Sequence, residues 1–301
     1  MGGRGNAVAH QRKVGNMRTL IDVDELAERL ARGDRTVLLD VRWALGDPEG
    51  RRHYAAGHLP GAVYVDLETE LAAAGGPGRG RHPLPEPRQF ASAVRRWGIR
   101  DGDTVVAYDA TGGLAAARAW WLLRHAGIDG ASLLDGGLAA WAAAGLPVDT
   151  GDVVPDAGDA EPGWGRMPVV SVDGAAGWPA NGLLLDARAG ERYRGESEPV
   201  DPRAGHIPGA VSAPTADNLD GSGKFLPAEA LRERFGRLGA AGPDGGAAPR
   251  DVAVYCGSGI TAAHQIAALA EAGIDAALFP GSWSQYASDP ERPAATGPEP
   301  G

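Results

Sequence analysis

The chain has 301 residues, 43% of them hydrophobic, and a formal net charge of −10. Its acidic balance, with a pI near 5.2, argues against nucleic-acid and anionic-membrane partners, and no apolar run approaches the ~18 residues that a membrane span needs. One cysteine, Cys256, permits no intrachain disulfide and nothing else marks the chain as secreted, so a soluble, cytoplasmic protein of about two domains is expected.

Residues 1–16 contain Gly and Arg, lack a signal-peptide core and are left outside the expected fold. The first patterned segment predicts a helix over 23–32, capped by Asp22 or Asp24 and followed by Gly33. A buried strand at 37–41 comes next, then a helix over 87–97 and a strand at 104–108. A helix over 113–126, a strand at 131–134 and a helix over 137–144 complete this half. The stretch from Thr150 to Gly165 is rich in Gly, Pro and Asp, a linker composition. Beyond it, strands are expected near 169–172, 183–186, 252–255 and 276–279, with helices near 227–238 and 260–272. Continuous apolar strands between helices imply parallel sheets covered on both faces. Ligands in such sheets bind beyond the carboxyl ends of the strands.

The chain repeats itself once. Leu38-Leu39-Asp40-Val41-Arg42 returns as Leu184-Leu185-Asp186-Ala187-Arg188, and Gly57-His58-Leu59-Pro60-Gly61-Ala62 as Gly205-His206-Ile207-Pro208-Gly209-Ala210. Thr104–Asp109 returns as Asp251–Cys256. The shift is nearly constant, between 146 and 148 residues, which means duplicated domains rather than a short-period solenoid. The expected units are 18–149 and 167–290, joined by a linker over 150–166.

Cys256 ends a β-rich run and opens Cys256-Gly257-Ser258-Gly259-Ile260-Thr261, after which a helical pattern starts. A cysteine there faces free backbone N–H groups and the positive end of a helix dipole, both of which favour the nucleophilic thiolate. A lone cysteine is more often a buried, inert core residue. The flanking glycines argue against that, because they let amides crowd around the sulfur. The loop has no arginine to grip a phosphate. No Cys/His ligand cluster and no phosphate-binding glycine loop occur, so neither a metal nor an organic cofactor is expected.

Together these elements resemble the tandem-domain rhodaneses, a sulfurtransferase family. The resemblance spans roughly residues 18–290. It is carried by the Asp-x-Arg after the first strand, the paired Gly-His-[Leu/Ile]-Pro-Gly-Ala elements and Leu134-Asp135-Gly136-Gly137 with Trp141. The Cys-Gly-Ser-Gly-Ile-Thr loop and Gly281-Ser282-Trp283 complete the set. It implies an α/β fold of two tandem rhodanese-like domains, each a parallel β-sheet flanked by helices on both faces. The C-terminal domain would be catalytic and the N-terminal one not, since Asp109 stands where Cys256 stands and cannot carry sulfane sulfur. It further implies that Cys256 takes sulfur as a persulfide from a small-molecule donor, with Gly257, Gly259, Ile260 and Thr261 forming an amide cradle. A thiol such as thioredoxin or glutathione, or cyanide in an assay, would then accept the sulfur.

The resemblance also implies a donor: thiosulfate enzymes of the family carry cations just after the cysteine, so the neutral Gly257 and Ser258 favour 3-mercaptopyruvate over dianionic thiosulfate, and by resemblance Arg192 takes the donor's carboxylate. The family's second arginine, nine residues later, is here Asp201, and Arg203 is the nearest substitute. Ser258 resembles the family's loop serine, which implies a proton relay with a histidine of the other domain, matched to His58 by its Gly-His-Leu-Pro-Gly context. The same motif around His206 leaves a turn-fixing role open for both. Asp47 is either an orienting acid or a turn residue before Pro48. Asp186 and Arg188 are expected to be structural, and Trp283 to pack near the site. Two other functions stay open: a thiosulfate sulfurtransferase, and a sulfur-binding or sensing module with little turnover.

Overall fold

The computed structural model describes residues 18–76, 78–240 and 251–301; residues 1–16 lie outside the described residues. The first half runs β1 (Leu20–Ile21), α1 (Val23–Ala31), β2 (Thr36–Asp40), α2 (Gly50–Ala56), β3 (Val63–Tyr64), α3 (Leu67–Glu70), α4 (Pro87–Arg96), β4 (Thr104–Tyr108), α5 (Ala116–His125), β5 (Ala131–Leu134) and α6 (Gly137–Ala143). The second runs α7 (Val172–Gly177), β6 (Leu183–Asp186), α8 (Gly190–Tyr193), β7 (Val211–Ser212), α9 (Ala228–Arg237), β8 (Val252–Tyr255), α10 (Thr261–Glu271), β9 (Ala276–Leu278) and α11 (Ser282–Tyr286). The sheets are ordered β1-β5-β4-β2-β3 and β7-β6-β8-β9, with every ladder parallel. In each sheet the order reverses beside the central strand, β4 or β8, so the loops after Tyr108 and Tyr255 open at a switch point.

The apolar runs are continuous because both faces of each sheet are covered. In β4, Val105 and Ala107 join one core cluster, while Val106 and Tyr108 join another on the opposite face. In β8, Val252, Val254 and then Cys256 point into the first cluster, while Ala253 and Tyr255 point away from it. That first cluster spans both halves of the chain: α5 packs on α10, and Trp121 and Leu122 share it with Ile266 and Leu269. All ten residues of α5 are buried, as expected of a helix that is apolar on nearly every side. Cys256 therefore faces the seam between the halves.

Most expected elements form within a residue or two. Asp22 caps α1, its carboxylate accepting the Glu25 N–H at 2.8 Å, and Gly33 follows with φ +74°. Two expectations shift. Of the strand near 169–172, only a bridge from Val169 to Leu278 forms. Ser171 instead caps α7, accepting the Gly174 N–H at 3.1 Å, because a serine followed by Asp173 in a first turn signals a helix start. The helix predicted from 113 begins at Ala116, since the preceding residues wrap around a carboxylate, described below. Residues past 290 lie along the second half, with Ala295 and His206 exchanging backbone hydrogen bonds at 2.9 and 3.0 Å. Among the described residues, no helix is long and apolar enough to cross a membrane.

Candidate active site

Cys256 is almost fully buried. The Gly259 N–H donates to its Sγ at 3.1 Å. Ser282 Oγ lies 4.0 Å from the sulfur and accepts the Cys256 N–H at 3.1 Å. Ser282 holds a φ of +53°, unique among the described non-glycine residues, a conformation that persists only where the surroundings impose it. Here the hydroxyl is the reason, since it bridges the cysteine amide and the Phe279 carbonyl, to which it donates at 2.9 Å. Residues at the start of α11 hold the loop from the other side: the Trp283 and Ser284 N–H groups donate to the Cys256 and Gly257 carbonyls, both at 2.9 Å. Gly259 has φ +83°, and a Cβ there would sit 2.3 Å from the Pro280 carbonyl oxygen, so only glycine fits. Thr261 opens α10.

The duplicated loop in the first half serves as an internal control. Asp109 stands at the cysteine's position, and its carboxylate accepts four backbone N–H groups: Thr111 and Gly113 at 2.8 Å, Ala115 at 2.8 Å and Ala116 at 3.0 Å. A loop of this shape thus presents converging amides to whatever anion occupies its centre. In one copy the anion is a fixed carboxylate. In the other the position is held by sulfur.

The histidine that reaches Ser258 is His82, not His58. His82 Nδ1 lies 2.8 Å from Ser258 Oγ, and its Nε2 lies 3.1 Å from Glu68 Oε1. The carboxylate can only accept, which assigns the proton to Nε2 and leaves Nδ1 to accept the serine O–H. Burial pushes the His82 pKa down, and the Glu68 charge opposes that shift. Trp43 Nε1–H also donates to Glu68 Oε1 at 2.8 Å. His58 is elsewhere: fully buried, it hydrogen-bonds the Asp149 carbonyl at 2.9 Å. Its duplicate His206 does the same to the Tyr193 carbonyl at 2.8 Å. Both histidines fix a turn, and the Asp-x-Arg elements clamp those turns. Arg42 bridges Asp40 and the Gly57 carbonyl; Arg188 bridges Asp186 and the Gly205 carbonyl. Asp47 is a turn residue, accepting the Glu49 N–H and pairing with His53.

Of the two candidate substrate arginines, only Arg192 is beside the cysteine loop. Its Nη1 would lie 3.4 Å from a Cβ placed on Gly257, and Arg81 Nη2 would lie 3.0 Å from it. Glycine at 257 makes room for two guanidiniums. Glu198 holds Arg192 through Nη2 at 2.6 Å and Nε at 3.3 Å, and Asp201 pairs with both Arg192 and Arg81. Arg203 instead donates to the carbonyls of Ala287, Asp289 and Arg292 at 2.8–3.1 Å, anchoring the chain's last segment. Sequence order placed it near Arg192, but four carbonyls more than eighty residues downstream outcompete the loop for its five donors.

Arg81, His82, Glu68 and Arg118 are the functional candidates that sequence reasoning missed. Arg118, fully buried in α5, donates to the carbonyls of Leu71, His82, Pro83 and Gly259 at 3.0–3.3 Å. Burial pushes its pKa down to about 10, against the charge of Cys256. From α10, His264 reaches back to the Gly112 carbonyl at 3.2 Å, so each helix clasps the other half's loop. A signal for His82 did exist. Leu84-Pro85 before α4 recurs as Leu226-Pro227 before α9, but Lys224 stands where His82 would be repeated. A residue that differs between the copies, as His82 does, is not required by the fold and is a candidate for function.

The rhodanese-like domain family matches residues 22–144 and 173–289. A Mycobacterium tuberculosis protein provisionally named thiosulfate sulfurtransferase SseB is 47% identical over 285 residues, covering 92% of this chain and 97% of that one. A Pseudomonas aeruginosa protein provisionally named 3-mercaptopyruvate sulfurtransferase is also 47% identical, covering 92% and 98%. The crystal structure of the 3-mercaptopyruvate sulfurtransferase SseA from Escherichia coli superposes with a TM-score of 0.75 at 32% identity, covering 89% of this chain and 99% of that one.

Proposed function

This chain belongs to the rhodanese-like domain family, and on that premise we propose that it is a sulfurtransferase carrying sulfane sulfur from 3-mercaptopyruvate on Cys256. The observation that carries this reading is the convergence beside one buried sulfur of an amide donor, a serine–histidine pair and two guanidiniums. The Cys256 thiolate attacks the donor's sulfur. The carbon–sulfur bond breaks, and its electron pair leaves on carbon as the enolate of pyruvate. The donor's S–H proton passes through Ser258 to His82 and returns to that carbon, so pyruvate departs neutral at its methyl group. The persulfide anion stays among the loop amides of residues 257–261. A thiol such as thioredoxin or glutathione, or cyanide, then takes the outer sulfur and restores the thiolate.

His82 fits the relay because burial holds it neutral at neutral pH, leaving Nδ1 free to accept. His82→Gln is expected to lower kcat by about 10²-fold, whereas His58→Gln leaves the relay intact. Equal kcat losses in the two variants would overturn the assignment.

Arg192 suits a donor whose negative charge lies away from its sulfur. Arg192→Ala is expected to raise KM for 3-mercaptopyruvate by about tenfold or more, with kcat little changed, as for loss of a charge-assisted contact. Unchanged KM and kcat would mean that the carboxylate binds elsewhere. Thiosulfate is the second reading, favoured by the closeness of two guanidiniums, which suits a dianion. Comparing kcat/KM for the two donors, with cyanide as acceptor, decides between them.

A further inference from the structure

We infer that Arg81, supplied by the N-terminal domain, binds the donor's carboxylate together with Arg192 and so sets donor choice across the domain seam. This rests on the reading of 3-mercaptopyruvate as donor. The two guanidiniums approach the same point of the cysteine loop, at 3.0 and 3.4 Å from a Cβ on Gly257, but they are not equally free. The Nε–Nη2 edge of Arg192, the edge that grips a carboxylate with two parallel N–H bonds, is already spent on Glu198. Only its Nη1 remains to face the loop. Arg81 is engaged the other way round. Its Nη1 is on Asp201, and its Nε is buried without a hydrogen-bond partner. Among the described residues its Nη2 also has no acceptor. Arg81 therefore keeps two donors on one edge, Nε and Nη2, that no described protein group meets, and an unmet donor of this kind favours an anion.

That edge is also held in place. The Arg81 N–H donates to Ser284 Oγ of α11 at 3.1 Å. The backbone of Gly80 lies so near Gly281 that a Cβ would come within 2.7 Å of the Gly281 carbonyl oxygen, and Gln285 Nε2 donates to the Gly78 carbonyl at 2.7 Å. The backbone of the segment that carries Arg81 is thus docked on the second half by two side chains of α11 and by the close approach of Gly281. Asp201, almost fully buried, orients both arginines from behind. Burial raises its pKa and Arg81 opposes the rise. Adjacent residues, Arg81 and His82, would then read the donor's charge and move its proton.

Mercaptoacetone tests this, because it keeps the keto-thiol and lacks the carboxylate. The readout is the ratio of kcat/KM for 3-mercaptopyruvate to that for mercaptoacetone, measured on the full chain with cyanide as acceptor; this ratio does not depend on the amount of active protein. Wild type is expected to prefer the carboxylate donor. Arg81→Ala is expected to cut that preference by about tenfold or more, and Arg81→Lys, which keeps the charge but loses the fork, by less. If Arg81→Ala keeps the full preference, or loses activity equally with both donors, Arg81 is only a brace between domains and the inference falls while the donor reading stands. If wild type shows no preference, the donor reading itself fails and takes the inference with it.

Discussion

Cys256→Ser is expected to abolish sulfur transfer, with a fall in rate of at least about 10³-fold, and to leave the fold in place. A serine hydroxyl does not ionise near neutral pH and cannot carry sulfane sulfur, so no second nucleophile inherits the role. The loop's own hydroxyls, on Ser258 and Thr261, meet the same limit: Ser258 lies 2.8 Å from His82, but an oxygen does not hold sulfane sulfur. Stability should change little, because the swap is nearly isosteric and the Gly259 N–H keeps an acceptor. A shift of less than ~1 kcal/mol would move the melting point of a chain this size by only about 2–4 °C. Mass spectrometry supplies the positive half of the test. Exposure of wild type to donor is expected to add ~32 Da at Cys256, which cyanide removes, as for a persulfide on a reactive thiol; the variant is expected to add nothing. Transfer at a few per cent of the wild-type rate in the pure variant would overturn the mechanism.

Arg118→Met is expected to be the most damaging change away from the sulfur. Methionine fills much of the same space, so the loss is not chiefly one of volume. What disappears is the donor set for the carbonyls of Leu71, His82, Pro83 and Gly259; the Pro83 carbonyl keeps the Ala73 N–H at 3.0 Å, which leaves the other three to carry the cost. Each buried carbonyl left unsatisfied costs about 1–3 kcal/mol, so a total loss above ~3 kcal/mol is expected, in the range reserved for broken buried networks. Burial of the cation itself lowers its pKa to about 10, and removing that desolvation offsets part of the loss. The functional effect should be separable. The carbonyls of His82 and Gly259 are released together, so His82 loses its alignment with Ser258 and kcat falls even at temperatures where the variant is folded. A denaturation midpoint like that of wild type, with normal kcat, would show that the four hydrogen bonds do not hold the seam.

The fold was legible because its strongest signals are local. The runs at Thr36–Asp40, Thr104–Tyr108 and Val252–Tyr255 are apolar without alternation, which only a sheet covered on both faces requires. The duplication exposed both central strands and the different residue that ends each. The cysteine loop was legible for the same reason: its glycines answer to contacts within a few residues, such as the Pro280 carbonyl behind Gly259. The rest of the site was not, because it forms only when the halves dock. His82 and Ser258 are 176 residues apart, and no periodicity marks the Pro-rich segment that brings one to the other. His58 was misleading because its motif is well formed, yet that motif builds a turn twice over. Arg203 misled by lying close in sequence to Arg192, when its carbonyl partners come from the chain's end.

The reciprocal clasp of α5 and α10 has a consequence for the order in which the protein is made. Domains leave the ribosome N-terminal end first and fold as units at synthesis rates of about 5–20 residues per second. Glu68, Arg81, His82 and Arg118 are thus translated, and can be shaped, before residue 256 exists. Until α10 arrives, α5 has no cover for a face that is wholly buried in the finished protein. With β4 and β5 already covering its other side, the first half would expose only the face of α5 that α10 later takes, and residues 18–255 hold no cysteine, so the early hazard expected of this segment is aggregation rather than oxidation. When the cysteine finally emerges, it meets a surface already prepared to receive it.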